Sequence, residues 1–144
     1  RALQSAGVTM LEDSAAAIPV RSDTLWLACV SDLWEAAHEI QRALSGIPAS
    51  APTLLFTHNP DIFPDVPARV ALSIAGHTHG GQVALPLFGR PKVPSRYGER
   101  YAVGHVQEGG RDLFVSTGVG TSILPVRFRV PPEVSVLTLH SASP

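Results

Sequence analysis

The sequence lacks most of the features that would tie it to a redox, membrane or nucleic-acid setting. Its single cysteine, Cys29, excludes an internal disulfide and lies in an apolar run, where a small buried hydrophobe is expected. No apolar stretch approaches the roughly 18 residues that cross a bilayer. The 11 Lys and Arg against 12 Asp and Glu give a net charge of −1. A chain with this charge has no positive electrostatic field that would attract a polyanion, so we expect no nucleic-acid binding.

Several common catalytic motifs are also missing. The chain has no Gly-x-Ser-x-Gly elbow, no Walker A loop and no Cys-x-x-Cys pair. Gly118 and Gly120 are followed by Ile123, which breaks the dinucleotide-binding fingerprint. A metallo-β-lactamase site needs Asp-His after its His-x-His pair, but Gly80 and Gly81 stand there. Serine hydrolase, nucleotide-binding and thiol chemistry are therefore disfavoured.

The residues that are present predict one α/β domain. The 144 residues are 44% hydrophobic and 16% charged, which is enough for a real core. Continuous apolar runs at residues 24–30, 53–57 and 71–75 predict buried strands, and residues 32–44 predict a helix capped by Asp32. The remaining predicted elements are a helix end closed by Gly7 and strands at residues 8–11, 18–21, 101–106, 113–116, 126–130 and 134–139. The last two alternate apolar and polar residues, with Arg127 and Arg129 pointing outward.

Histidines follow two of the predicted buried strands. His58 comes after residues 53–57, and His77 and His79 come after residues 71–75. Ligand sites collect at the carboxyl ends of strands in α/β sheets, so three imidazoles can converge at one edge. In extended backbone His77 and His79 share a face, where they can bind one ion or contribute one imidazole to each of two. We therefore predict a metal site; the other histidines, His38, His105 and His140, lack such spacing.

The chain resembles the C-terminal part of a calcineurin-like metallophosphoesterase. The resemblance rests on His-Asn-Pro-Asp at residues 58–61 and Gly-His-Thr-His-Gly-Gly-Gln at residues 76–82, followed by Ser-Thr-Gly-Val-Gly at residues 116–120 and Pro-Pro-Glu at residues 131–133. It points to the bacterial, phosphodiesterase-like branch. The family fold is a sandwich of two mixed sheets flanked by helices, so residues 1–144 are expected to be the C-terminal part of one such domain.

The resemblance implies a dinuclear site that hydrolyses a phosphoester, and specifically a phosphodiester. It implies that His58 and His77 bind one ion and His79 the other, with Mn, Fe or Zn as the metal. The family's Asp-x-His, Gly-Asp-x-x-Asp and Gly-Asn-His-Asp motifs are not in this chain, so none of its residues is assigned a catalytic role. We expect the upstream half of the same protein to supply them, and the isolated chain to bind at most one ion and to be inactive.

Four basic residues, Arg90, Lys92, Arg96 and Arg100, crowd a loop rich in Pro and Gly soon after the histidine pair. Either they form a lid in which Arg96 contacts an anionic substrate, or the loop is simply solvated. A second alternative is a non-catalytic module that binds one structural ion or none. We expect a cytoplasmic or membrane-associated location, and an exposed sheet edge that can support a homodimer.

Overall fold

One six-stranded mixed sheet organises the chain. The computed structural model describes residues 2–32 and 39–140. The strands are β1 (Ser14–Val20), β2 (Asp23–Cys29), β3 (Thr53–Phe56), β4 (Leu72–Ala75), β5 (Gly104–Glu108) and β6 (Arg111–Val115). Their order is β1-β2-β3-β4-β6-β5, with β2, β3, β4 and β6 parallel and the two edge strands antiparallel to their neighbours. The α/β prediction is confirmed.

The helices are short. They are α1 (Ala2–Ser5), α2 (Ile40–Leu44) and three 3-10 helices, Pro60–Asp65, His79–Gly81 and Gly98–Tyr101. Gly7 has φ +81°, and its N–H donates to the Gln4 carbonyl, so the helix end closed by glycine is confirmed. Of the helix predicted over residues 32–44, the structure gives α2, while residues 33–38, which Asp32 is predicted to cap, lie outside the described part. None of the helices in that part has the length and apolar character needed to cross a bilayer.

The core lies on the central strands, as continuous apolar runs predict for parallel strands covered on both faces. Leu55, Leu113 and Val115 are fully buried. Phe63 and Tyr101 belong to the same buried cluster. Their two rings meet edge to face, with centroids 5.6 Å apart. These contacts hold the 3-10 helices Pro60–Asp65 and Gly98–Tyr101 against the sheet beside the strand ends.

Some predicted strands are wrong. Residues 8–11 are not a strand, and β5 begins at Gly104 because the 3-10 helix Gly98–Tyr101 precedes it. Residues 126–130 and 134–139 form no strand either, and Val134 and Val136 are 82% and 88% exposed. Alternating residues describe the two faces of a strand, but a strand also needs a continuous ladder of backbone pairing. Phe128 pairs with Val83 in an isolated parallel bridge, and neither segment forms a longer ladder in the part of the chain described here.

Asp13 joins the start of the β1–β2 hairpin to the segment that follows it. Its carboxylate accepts hydrogen bonds from the Ser31 N–H at 2.9 Å and from the Ser31 hydroxyl at 2.7 Å. The Ser31 N–H bond is the main cause that holds the pKa of Asp13 below its ordinary value. The ionised carboxylate therefore stabilises the folded chain.

We expect Asp13→Ala to lower the free energy of unfolding by about 1–2 kcal/mol at pH 7, because charge-assisted hydrogen bonds are lost. A group with a lowered folded pKa contributes above its unfolded pKa of about 3.9 and loses that contribution as pH falls through its folded pKa. Urea unfolding of both proteins from pH 7 to pH 2.5 measures this difference. Asp23→Ala, at the exposed start of β2, is the control; an equal loss in both variants, or no pH dependence, contradicts the prediction.

Candidate metal centre

The carboxyl ends of three neighbouring parallel strands form the site. His58 follows β3, the segment from His77 to Gln82 follows β4, and Gly118 follows β6. The backbone pairing continues past the strands, because the Gly76 N–H donates to the His58 carbonyl at 3.1 Å. Residues 19 positions apart in sequence thereby meet at one edge of the sheet.

His58 and His77 are in direct contact. His58 Nε2 and His77 Nδ1 are 3.0 Å apart, and the two rings meet edge to face with centroids 4.8 Å apart. Two imidazole nitrogens on one tetrahedral zinc ion are separated by about 3.3 Å, given bonds of about 2.0–2.1 Å. The separation of the His58 and His77 nitrogens is therefore within a few tenths of an ångström of the separation between two imidazole ligands of one ion.

The surroundings of His77 favour its neutral form, which is the form that binds a metal. Burial lowers the pKa of His77 below its ordinary value, and the adjacent His58 imidazole lowers it further. Asp32, the Pro94 carbonyl and Asp61 act in the opposite direction. Asp32 follows β2, so a fourth strand end also influences the site.

His79 lies on a tight turn and not on extended backbone. Its φ is +49°, that of His77 is +66°, and residues 79–81 form a 3-10 helix. The prediction that the pair shares a face in extended backbone is therefore wrong. His79 Nδ1 is buried and has no hydrogen-bond partner among the described residues, which costs free energy unless a ligand occupies it.

The histidines do not form one three-ligand cluster. Across residues 2–32 and 39–140, no three His, Cys, Asp or Glu side chains are arranged to hold a single ion. The structure brings His58 and His77 together and leaves His79 as a separate ligand candidate. Burial raises the pKa of the Cys29 thiol, which disfavours the thiolate that a metal ion requires.

Glycine is required where the histidine turn approaches its neighbours. Gly80 has φ +60°, and a Cβ there would lie 2.8 Å from Val130 Cγ1 and 2.9 Å from Thr117 Cγ2. This close packing holds the turn against the loop that follows β6. In the sequence, Gly80 and Gly81 predict a bend here, but they do not predict the conformation of that bend.

Arg127 fixes that neighbouring loop. Its guanidinium donates to the carbonyls of Thr117, Gly118 and Gly120, and it also reaches those of Val130 and Pro131. Gly120 in turn lies beside His79, since a Cβ built on it would be 3.8 Å from His79 Cε1. The prediction that Arg127 points into solvent is wrong, because backbone carbonyls three to ten positions away, which the chain folds back around the guanidinium, supply its partners.

Arg96 lies beside the site on an anchored loop. The buried Asp61 carboxylate accepts hydrogen bonds from the Ser95 hydroxyl and from the Arg96 N–H at 2.9 Å. Arg96 Nε is 3.6 Å from Asp61 Oδ2, yet the Arg96 side chain is 57% exposed. Asp61 is thus more than a turn residue. Its partners are 34 and 35 positions away, which no local pattern reveals.

The other basic residues of this loop differ in their pairing. Arg90 pairs with Glu99, and Arg100 pairs with Glu108 at 2.7 Å, so these two charges are already compensated. Lys92 is exposed, and it forms no ion pair within residues 2–32 and 39–140. Arg96 is paired with Asp61 but is more than half exposed, so Lys92 is the basic residue of this loop whose charge no ion pair compensates among the described residues.

The remaining histidines take ordinary roles or lie outside the description. His105 Nε2 is 2.6 Å from Asp112 Oδ1 across the β5–β6 pair, and His140 is exposed near the end of the described chain. His38 lies outside the described residues.

The chain resembles several curated bacterial proteins. It is 36% identical over 120 residues to the uncharacterized metallophosphoesterase YkuE of Bacillus subtilis, which covers 81% of this chain and 41% of that protein. It is 36% identical over 140 residues to phosphodiesterase YaeI of Escherichia coli, covering 95% of this chain and 49% of that protein. An uncharacterized metallophosphoesterase of Helicobacter pylori is 30% identical over 105 residues, 72% of this chain and 27% of that protein.

The chain thus spans about half the length, or less, of these relatives. It matches no protein-family model, and no solved structure matches it significantly. Two relatives named metallophosphoesterase and phosphodiesterase are nevertheless 36% identical to this chain over four fifths or more of its residues, which is enough to assign its family. The chain belongs to the metallophosphoesterase family.

Proposed function

We propose that the chain supplies part of a two-ion site that hydrolyses a phosphoester, and specifically a phosphodiester. His58 and His77 hold one divalent ion, and His79 holds the other. The observation that carries the proposal is the contact of 3.0 Å between His58 Nε2 and His77 Nδ1 at the sheet edge. The buried Nδ1 of His79, which no described residue contacts by a hydrogen bond, supports it, and so does the name of the phosphodiesterase YaeI among the relatives.

The chain's own residues bind and orient in this proposal. Bound Mn, Fe or Zn supplies charge neutralisation at the phosphoryl oxygens and lowers the pKa of water for the attack on phosphorus. His58, His77 and His79 supply neutral nitrogen ligands, and the lowered pKa of His77 keeps that imidazole in the ligating form. Arg127 fixes the loop that follows β6, and the close packing of Gly80 holds the turn that carries His79 against that loop.

We propose that the site is incomplete in this chain. Three neutral imidazoles offer no bridging carboxylate to offset repulsion between two dications, so the chain alone binds at most one ion and is inactive. The upstream half of the same protein supplies the remaining ligands and the catalytic groups. The partial coverage of the relatives supports this division. A homodimer through the edge strands β1 or β5 is the corresponding proposal for the isolated chain.

His79→Ala, made in the protein extended by that upstream half, should remove one of two bound ions. Hydrolysis of bis(p-nitrophenyl) phosphate should fall by more than the roughly 10–100-fold that loss of an outer-shell partner costs. Elemental analysis and initial rates measure the two effects. His140→Ala should change neither. Retention of both ions and full activity in His79→Ala sinks the assignment, whereas one tightly held ion without hydrolysis in the unaltered protein favours a non-catalytic module.

Arg96 is proposed to bind the substrate phosphate. Asp61 fixes its backbone and leaves more than half of its side chain exposed, so the guanidinium can reach an anion without leaving its anchor.

In the same extended protein, Arg96→Ala should raise KM by about tenfold, the cost of one charge-assisted hydrogen bond, with metal content unchanged. Steady-state kinetics with elemental analysis is the measurement. Arg21→Ala, in the turn between β1 and β2, serves as the control for loss of a positive charge. Unchanged kinetics in Arg96→Ala means that the loop is only solvated.

A further inference from the structure

We propose that a cavity beside His79 binds an aryl or alkyl substituent of the phosphoester. This proposal rests on the proposed function and specifies its substrate class. The cavity has a volume of about 300 Å³, and His79 and Lys92 are among its lining residues. An apolar engineered cavity about half as large holds benzene, so the volume suits a phenyl ring or a short alkyl chain.

Two of the polar side chains that line the cavity, Thr78 and Gln82, already have hydrogen-bond partners within the protein. The buried Thr78 hydroxyl donates to the Ala102 carbonyl at 2.7 Å. The Gln82 amide donates to the carbonyls of Leu124 and Val126 and accepts from the Ser122 N–H. A sugar or nucleoside needs free donors and acceptors, which Thr78 and Gln82 do not offer. The remaining lining side chains are mainly apolar, and they include Val83, Pro91, Pro94, Ile123 and Leu124.

Two large apolar side chains stand at the mouth of the cavity. Ile123 is 90% exposed and Leu124 is 64% exposed, although both line the cavity. Ile123 also has φ +65°, a conformation that is rare and costly for a β-branched residue. The Gln82 amide holds this segment in place, so the apolar wall is formed in advance of any ligand.

The charged side chains around the cavity suit the phosphate end of such a ligand. Lys92 lines the cavity and has charge available for a phosphate, while the His79 ring marks the metal side. The Arg90 guanidinium donates to the Gly80 carbonyl at 2.8 Å, which ties the Lys92 segment to the histidine turn. A ligand whose apolar group fills the cavity therefore has Lys92 and His79, which both line it, as partners for its phosphate.

Phenylphosphonate and methylphosphonate test the proposal, because they share a phosphonate that is not hydrolysed and differ in the apolar group. Titration of the 144-residue chain by NMR or calorimetry should give phenylphosphonate roughly tenfold tighter binding or more. The preference should disappear in Ile123→Ser combined with Leu124→Ser. Leu87→Ser is the matched control, since Leu87 is fully exposed with φ +68° and lies outside the cavity lining.

Equal binding of the two probes, binding of neither, or a preference that survives the cavity variants overturns the inference. Loss of the phenyl preference in the protein extended by its upstream half also overturns the inference, since the upstream half would then fill the cavity. Failure of the proposed function is distinguishable. In that case the phenyl preference persists while the extended protein shows no metal-dependent hydrolysis.

Discussion

Parallel pairing of β3, β4 and β6 is the constraint on which the rest of the structure depends. The pairing continues beyond the strands through the Gly76 N–H to His58 carbonyl bond and the Ser116 N–H to Ala75 carbonyl bond, at 3.1 and 3.0 Å. Each strand therefore delivers its following loop to the same edge. Because parallel strands keep their carboxyl ends together, residues distant in sequence become neighbours without further contacts.

Tertiary contacts hold the unusual backbone at this edge. Positive φ values at His77, His79 and Gln82 are unfavourable locally and persist only where surrounding contacts fix them. Arg127 satisfies carbonyls of the neighbouring loop, and the Gln82 amide holds the segment that follows it. The same contacts that maintain this strained turn also shape the cavity wall. A rigid, partly apolar site beside the imidazoles follows from this arrangement.

The sequence predicts the sheet better than the site. Continuous apolar runs identify β2, β3 and β4, and histidines at the ends of β3 and β4 predict the contact of His58 with His77. Alternation misleads at residues 126–130 and 134–139, because it describes the faces of a strand but not its pairing, which here is limited to the single bridge between Phe128 and Val83. Asp61 is also missed as the anchor of Arg96, since their contact joins segments 35 positions apart. The shape of the His79 turn depends on long-range contacts that no spacing rule contains.

The central claim is that the three histidines are one part of a two-ion site whose other ligands lie outside this chain. The most direct test is the number of metal ions per 144-residue chain, measured by elemental analysis after dialysis against Mn²⁺ or Zn²⁺. The account predicts one ion or none, because the described residues offer no bridging carboxylate arranged with the imidazoles. Close to two tightly bound ions per chain would contradict it.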